Sequence, residues 1–246
     1  MPALFLAFML LWPPAGDALR FELNFDRSGA RAGLSEGKPE PIQVFGTVSL
    51  RDGLQGKALF CGDGGASLRF ASAGNLNFDK PGSLSFWFFP LDWDADHRYR
   101  CFFFGTESSQ GYFGIQQAND PKDRKPYDRD LQLMILYSKT LASTVVALPP
   151  FGKNALGRWH LIAANWDAGS VALSLDGQDF SVWQLKGRLD RTAIPSEHFS
   201  VGSSQHWNYL LDEFRIYSRK LTAQEVQDIY QQGLQKVAKK GSTLSR

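Results

Sequence analysis

The side chains best suited to holding a ligand are aromatic rings set among polar groups. Trp93, His97 and Tyr99 share the segment 92–100. Tyr127 sits with Asn119 and several charges in the segment 118–130. Trp207 lies in Gln205-His206-Trp207-Asn208-Tyr209. A flat ring can stack on the apolar face of a pyranose, while nearby Asp, Asn, Arg or His groups bond its hydroxyls. Trp93 and Trp207 equally suit a second role, plugging the ends of a core, because Trp is highly buried on average.

The acidic and nucleophilic residues form no catalytic pattern. Asp92-Trp93-Asp94-Ala95-Asp96 begins like a calcium-binding EF-hand loop. It has His97 at the sixth position and Phe103 at the twelfth, where that loop needs Gly and Glu, so it reads as a solvated loop. No Glu-x-Asp places two carboxylates on one strand for glycoside hydrolysis. Gly-x-Ser-x-Gly, His-Glu-x-x-His and a phosphate-cradling glycine loop are also missing from the sequence. His97, His160, His198 and His206 have no metal-ligand spacing, and His160 and His198 read as structural. Lys and Arg total 27 against 25 Asp and Glu, a net charge of +2. That balance carries no electrostatic footprint for nucleic acid.

Residues 1–12 form an uncharged apolar run, broken by Pro13-Pro14 and followed by Ala15-Gly16-Asp17-Ala18. The run is shorter than the roughly 20 residues a bilayer span needs. It resembles a secretory signal peptide cut after Ala18, which predicts a secreted or periplasmic protein with no transmembrane span in its mature chain. An oxidising compartment permits a disulfide between Cys61 and Cys101, closing a loop of about 40 residues and stabilising by about 4 kcal/mol. The alternative is a pair of buried thiols, since both cysteines stand in apolar runs. Apolar surroundings raise a thiol pKa, which argues against a catalytic thiolate.

The elements that must position these groups are strands. About fourteen short apolar or alternating segments recur between turn residues such as Asp79-Lys80-Pro81-Gly82, Asp167-Ala168-Gly169 and Asp176-Gly177. The 170–175 segment buries Val171, Leu173 and Leu175 and turns Ser170, Ala172 and Ser174 the other way. Gly169 is expected to supply a positive φ in its hairpin loop. One helix is predicted: Thr222-Ala223-Gln224-Glu225 is a capping box, and Val226, Ile229, Tyr230 and Leu234 mark its core-covering stripe. Residues 236–246 read as a basic tail that frays. Without strand–helix alternation or a linker, the chain reads as one all-β, two-sheet antiparallel sandwich with a short C-terminal helix.

Four pieces carry a resemblance. They are Gly56-Lys57-Ala58-Leu59, the run Ser83-Leu84-Ser85-Phe86-Trp87-Phe88-Phe89-Pro90, and Arg158-Trp159-His160-Leu161 followed by Leu175-Asp176-Gly177. The last is Leu211-Asp212-Glu213-Phe214-Arg215-Ile216-Tyr217 leading to Leu221-Thr222. In this order they are similar to laminin-G-like jelly rolls of the concanavalin A-like lectin/glucanase superfamily, here over residues 19–235. The resemblance implies one structural Ca²⁺ near the first and last strands. Asp212 is then its best-placed carboxylate, with Glu22 or Asp26 as partners and Asp63 displaced by one position from the family pattern. It also implies a non-catalytic module that binds carbohydrate or a glycosylated surface through rim loops. A protein-interaction module among other exported proteins is the second expectation, and a polysaccharide-active enzyme the third.

Overall fold

The computed structural model describes residues 15–26, 29–93, 101–107, 111–119, 129–136, 143–148 and 156–243. Among the described residues, sixteen strands and one long helix follow a short 3-10 turn at Ala15–Ala18. The first six strands are β1 (Leu19–Leu23), β2 (Leu34–Ser35), β3 (Gln43–Gly46), β4 (Leu50–Asp52), β5 (Lys57–Cys61) and β6 (Ala66–Ala71). Next come β7 (Gly82–Pro90), β8 (Cys101–Glu107), β9 (Tyr112–Asn119), β10 (Arg129–Leu136) and β11 (Ser143–Leu148). The last are β12 (His160–Trp166), β13 (Ser170–Leu175), β14 (Ser181–Gln184), β15 (His198–Gly202) and β16 (Tyr209–Tyr217), before α1 (Ala223–Thr243).

Two antiparallel sheets result. One runs β14-β13-β12-β7-β16-β1-β2, with β5 also paired to β16 and β4 to β5. The other runs β11-β10-β9-β8-β15-β6-β3. The expected two-sheet sandwich is therefore the observed fold. Between the sheets lies a core of phenylalanines, among them Phe21, Phe70, Phe86, Phe104, Phe199 and Phe214, all buried. Their rings meet edge-on or stacked, as at Phe21–Phe70 (4.9 Å, 70°) and Phe86–Phe214 (6.0 Å, 27°), which adds geometric specificity to simple area burial.

Strand burial follows the pleat. In β10, Leu131, Leu133 and Ile135 are buried, while Gln132, Met134 and Leu136 turn outward and are half-buried or exposed. Both faces of β7, β13 and β16 are largely buried, including Ala172 and Ser174, which were expected on a more polar face, and β12 is buried throughout. Its outer face is covered by α1: Leu161, Ala163, Trp87 and Val226 share a second core with Ile229 and Tyr230. Trp87 stacks on Tyr230 at 5.6 Å and 10°. Glycine at 233 makes room for that indole, since a Cβ there would lie 2.2 Å from it.

The capping box forms as expected: Glu225 N donates to Thr222 Oγ1 (3.2 Å) and Thr222 N donates to Glu225 Oε2 (2.9 Å). Beyond the cap the helix departs from expectation. It continues to Thr243, through residues expected to fray, and Lys236 Nζ comes 3.7 Å from Glu213 Oε1. Leu234, predicted in the buried stripe, is exposed. Ala18, at the expected cleavage point, packs in the second core, and its carbonyl accepts the Ser218 N–H at 2.8 Å.

The hairpin turns also divide differently from expectation. Positive φ falls at Asp176 (54°) and Gly177 (73°), and Gly169 has none. The 167–169 loop is held instead by the Asp167 carboxylate, which accepts Gly169 N (3.0 Å), Ser170 N (2.7 Å) and Ser170 Oγ (2.8 Å). An Asx-type turn removes the need for a left-handed glycine.

Candidate functional site

The rim aromatics separate into two groups. Trp93 and Trp207 are only 5% and 3% exposed. Their rings meet edge-to-face at 5.4 Å, and Trp93 stacks on Phe88 at 5.6 Å and 19°. These two indoles close one end of the core, where burial of a large apolar ring outweighs exposure. As placed they offer no free face to a sugar, which corrects their assignment as a binding platform. His97, Tyr99 and Tyr127 lie outside the described residues.

An aromatic-lined recess does exist, but on the outer face of the seven-stranded sheet. Register builds it: Gln43 pairs Arg69, Arg69 pairs Ser200, Ser200 pairs Gly105, Gly105 pairs Gly114 and Gly114 pairs Met134. Strand alternation turns this whole row outward. Gly105 and Gly114 leave a gap, and the Tyr112 side chain lies across it. A Cβ on Gly114 would fall 2.1 Å from the Tyr112 hydroxyl oxygen, and one on Gly105 2.9 Å from it. Beside Tyr112, a trough of about 310 Å³ is lined by Phe45, Phe102, Ser67, Ser200 and Gln205, among others. Phe102 is 38% exposed. Arg69 lies over the Phe45 ring, 4.6 Å from its centroid, and donates to Gln43 Oε1 at 2.6 Å. On the same face Gln116 donates from Nε2 to Gln132 Oε1 (3.3 Å), and its buried Oε1 has no partner among the described residues.

The chemistry available there is stacking plus neutral hydrogen bonding. None of the eleven lining residues is Asp, Glu or His. The sequence signal was an alternation of ring, glycine and amide at Tyr112, Gly114 and Gln116. Only the strand register sets Gly105 against Gly114, so the site was invisible to linear reading.

The four carboxylates expected at a metal do not converge. Glu22 is held by Arg215 Nε at 2.8 Å, which also pairs with Glu213. Asp63 stands exposed in a turn. Asp212 and Asp26 remain. Asp212 is wholly buried beside a β-bulge, where Glu213 takes a positive φ of 51°. Its Oδ2 accepts Leu54 N (2.9 Å) and its Oδ1 accepts Glu213 N (2.8 Å). Burial, then the charge of Glu213 and, less, that of Asp26 push its pKa up to about 8, against the lowering effect of the two backbone N–H donors. A glycine loop closes on both acids: a Cβ on Gly53 would meet Asp212 at 2.5 Å, and one on Gly56 would meet Asp26 at 2.0 Å. Among the described residues no three acidic, His or Cys side chains form a metal cluster. Asp26 Oδ1 also accepts Lys57 N at 2.8 Å; as all-oxygen donors the two acids would suit a hard cation rather than a soft one. Backbone or solvent oxygens would have to complete the roughly six to eight that Ca²⁺ takes.

Cys61 and Cys101 are free, buried thiols on strands of opposite sheets. No disulfide joins them, so of the two readings left open the structure holds the thiol pair. Burial pushes Cys61 up to about 12 and Cys101 well above its ordinary value. The Tyr209 hydroxyl lies near both and donates to the Phe102 carbonyl at 2.6 Å. His160, buried in β12, has Nδ1 2.8 Å from Asp176 Oδ2 and stacks on Phe88, a structural role as expected.

The sequence profile of the concanavalin A-like lectin/glucanases superfamily matches residues 62–227, more than half of the chain. The chain belongs to this superfamily. No curated protein matches it. Among solved structures it is similar to domain 4 of AbnA, a GH43 extracellular arabinanase from Geobacillus stearothermophilus, in complex with arabinotriose. That match has TM-score 0.65 and 20% identity over 87% of this chain and 99% of the other. It is also similar to the receptor binding domain of botulinum neurotoxin D, with TM-score 0.68 and 8% identity over 88% of this chain and 53% of that one. The binding domain of botulinum neurotoxin DC, in complex with rat synaptotagmin II, gives TM-score 0.68 and 13% identity over 89% and 52%. The chain thus spans about half the length of the neurotoxin domains. At these identities the likeness is one of fold. No described helix is long and apolar enough to cross a membrane.

Proposed function

We propose that this chain is an exported, non-catalytic carbohydrate-binding module whose ligand lies on the outer face of the seven-stranded sheet. The observation that carries the reading is the Tyr112 side chain laid across paired Gly105 and Gly114 beside the exposed Phe102 ring and a border of serine and amide groups. Rings supply stacking area for an apolar sugar face, and Ser67, Ser200 and Gln205 supply partners for hydroxyls. The solved arabinanase domain, which holds arabinotriose on the same fold, supports the ligand class. The lack of carboxylates in the trough supports binding without turnover. The uncharged apolar run at residues 1–12 supports export. We further propose that Asp26 and Asp212 hold one structural Ca²⁺, whose charge would offset the burial and the neighbouring carboxylates that raise the Asp212 pKa.

A glycan array probed with the wild-type chain and with Phe102→Ala tests the ligand class. Binding to neutral oligosaccharides that weakens in the variant is the expected result. Wild-type silence across the array would refute the reading and favour a protein partner. Product release from a bound polysaccharide would overturn the non-catalytic assignment.

A further inference from the structure

We infer that a second groove, bordered by the 72–81 turn, is a separate ligand site for an acidic sugar, a hexuronate bearing one carboxylate. The groove encloses about 670 Å³ and shares no lining residue with the sheet-face trough. That volume is in the ordinary range for small-molecule sites, roughly 300–1,000 Å³.

Ser72 marks it as a site. The residue is 4% exposed and its backbone is fully committed: its N–H donates to the Glu197 carbonyl (2.8 Å), and its own carbonyl accepts Asn75 N (2.9 Å) and Leu76 N (2.8 Å). Its hydroxyl is buried with no partner among the described residues, and Ser72 is one of the residues that line the groove. Buried polar groups are normally paired, and an unpaired one is unfavourable until a partner arrives. A ligand hydroxyl is such a partner.

The charges select the ligand class. Three cations line the groove: Arg20, Lys80 and Arg191. Arg20 is paired to Glu36. Arg191 is paired to Asp79, with Nε 2.7 Å from Oδ2 and the backbone N–H donating to Oδ1 at 3.1 Å. Lys80 has no carboxylate partner among the described residues, so one positive charge is uncommitted. Its segment is pinned, because the Trp166 indole N–H donates to the carbonyls of Lys80 (3.2 Å) and Asn77 (3.3 Å). Glu36 and Glu197 also border the groove. They oppose a dianion such as phosphate and tolerate a single carboxylate directed at Lys80. The remaining polar lining, including Asn77 and Ser196, suits a ligand rich in hydroxyls.

The test is calorimetric titration of the full chain with a trisaccharide of two galactose units and one galacturonate, which bears a single carboxylate, with neutral galactotriose as the control. Wild type is expected to bind the uronate more tightly than the neutral trimer, with affinity falling as salt rises. Lys80→Ala should weaken it by about tenfold or more and Lys80→Arg should restore most of it. Lys80 is exposed, so neither change threatens the fold. Ser72→Ala, which removes only a hydroxyl, should also weaken binding. Tyr112→Ala should leave uronate binding unchanged, which separates this site from the sheet-face reading. In Tyr112→Ala, where the sheet-face trough no longer contributes, equal affinity for the neutral trimer, indifference to an added Lys80→Ala, or no uronate binding would overturn the inference. Inorganic phosphate that competes as well as the uronate would overturn the carboxylate class.

Discussion

Asp212 makes the metal-free protein weaker as pH rises. An ordinary Asp titrates near 3.8, and in the fold this one titrates near 8, chiefly because burial penalises its charged form. The native state therefore holds the proton more tightly than the unfolded chain. A group raised in this way contributes its full stability below the unfolded pKa and loses it as pH climbs through the folded one. The slope is about 1.4 kcal/mol per pH unit, so between about pH 5 and pH 8 the loss is up to roughly 4 kcal/mol. For a chain of this size that corresponds to a fall of about 8–16 °C in Tm. The assay is a set of thermal melts in EDTA across that range, repeated with saturating Ca²⁺. Calcium should remove most of the slope, because a bound cation favours the ionised carboxylate and lowers its pKa. Asp212→Asn should remove it too. That variant also faces the Leu54 and Glu213 N–H donors with an amide group, so its overall stability drops and the slope is the diagnostic. A Tm that stays level or rises from pH 5 to pH 8 in EDTA would refute this account of the buried acid. A slope unchanged by both calcium and Asp212→Asn would do the same.

Other expectations are more local. Gly233→Ala drives a Cβ to 2.2 Å from the Trp87 ring, and overpacking of this kind should cost about 1–3 kcal/mol despite the better helix propensity of alanine; a denaturant titration reads it, and a stabilised variant would contradict the packing. Phe21→Ala opens a hole among Phe70, Phe199 and Phe214 and should cost about 3–5 kcal/mol by the same measurement. With Cys61 raised to about 12, the native protein should give no reaction with a thiol reagent near pH 8, and two thiols should appear after unfolding without reductant. Rapid labelling of the native state, or no thiols on unfolding, would contradict the free buried pair.

The fold was legible because its rules are local. Alternation in 170–175, the capping box at Thr222 and the Asp176-Gly177 turn each declare an element from residues within a few positions of each other. The four resemblance segments then fixed their order. What stayed hidden depends on pairings far apart in sequence. Trp93 and Trp207 stand in polar segments that look like exposed rims, yet each covers the other, and no linear pattern predicts that contact. Glu22 reads as a metal ligand until Arg215, which it contacts across β1 and β16, is seen to hold it. The trough needed the Gly105–Gly114 pairing of β8 with β9. Residues 236–243 carry a fraying composition, but the Lys236 contact with Glu213 lies on the path of a continuing helix.

The direct test of the sheet-face claim is calorimetric titration of wild type and Tyr112→Ala with the best neutral oligosaccharide from the array. Loss of a central aromatic anchor costs about 2 kcal/mol, so the Kd of the variant should rise roughly thirtyfold while its melting curve stays close to wild type. An unchanged Kd in Tyr112→Ala would place the sugar elsewhere and contradict the account.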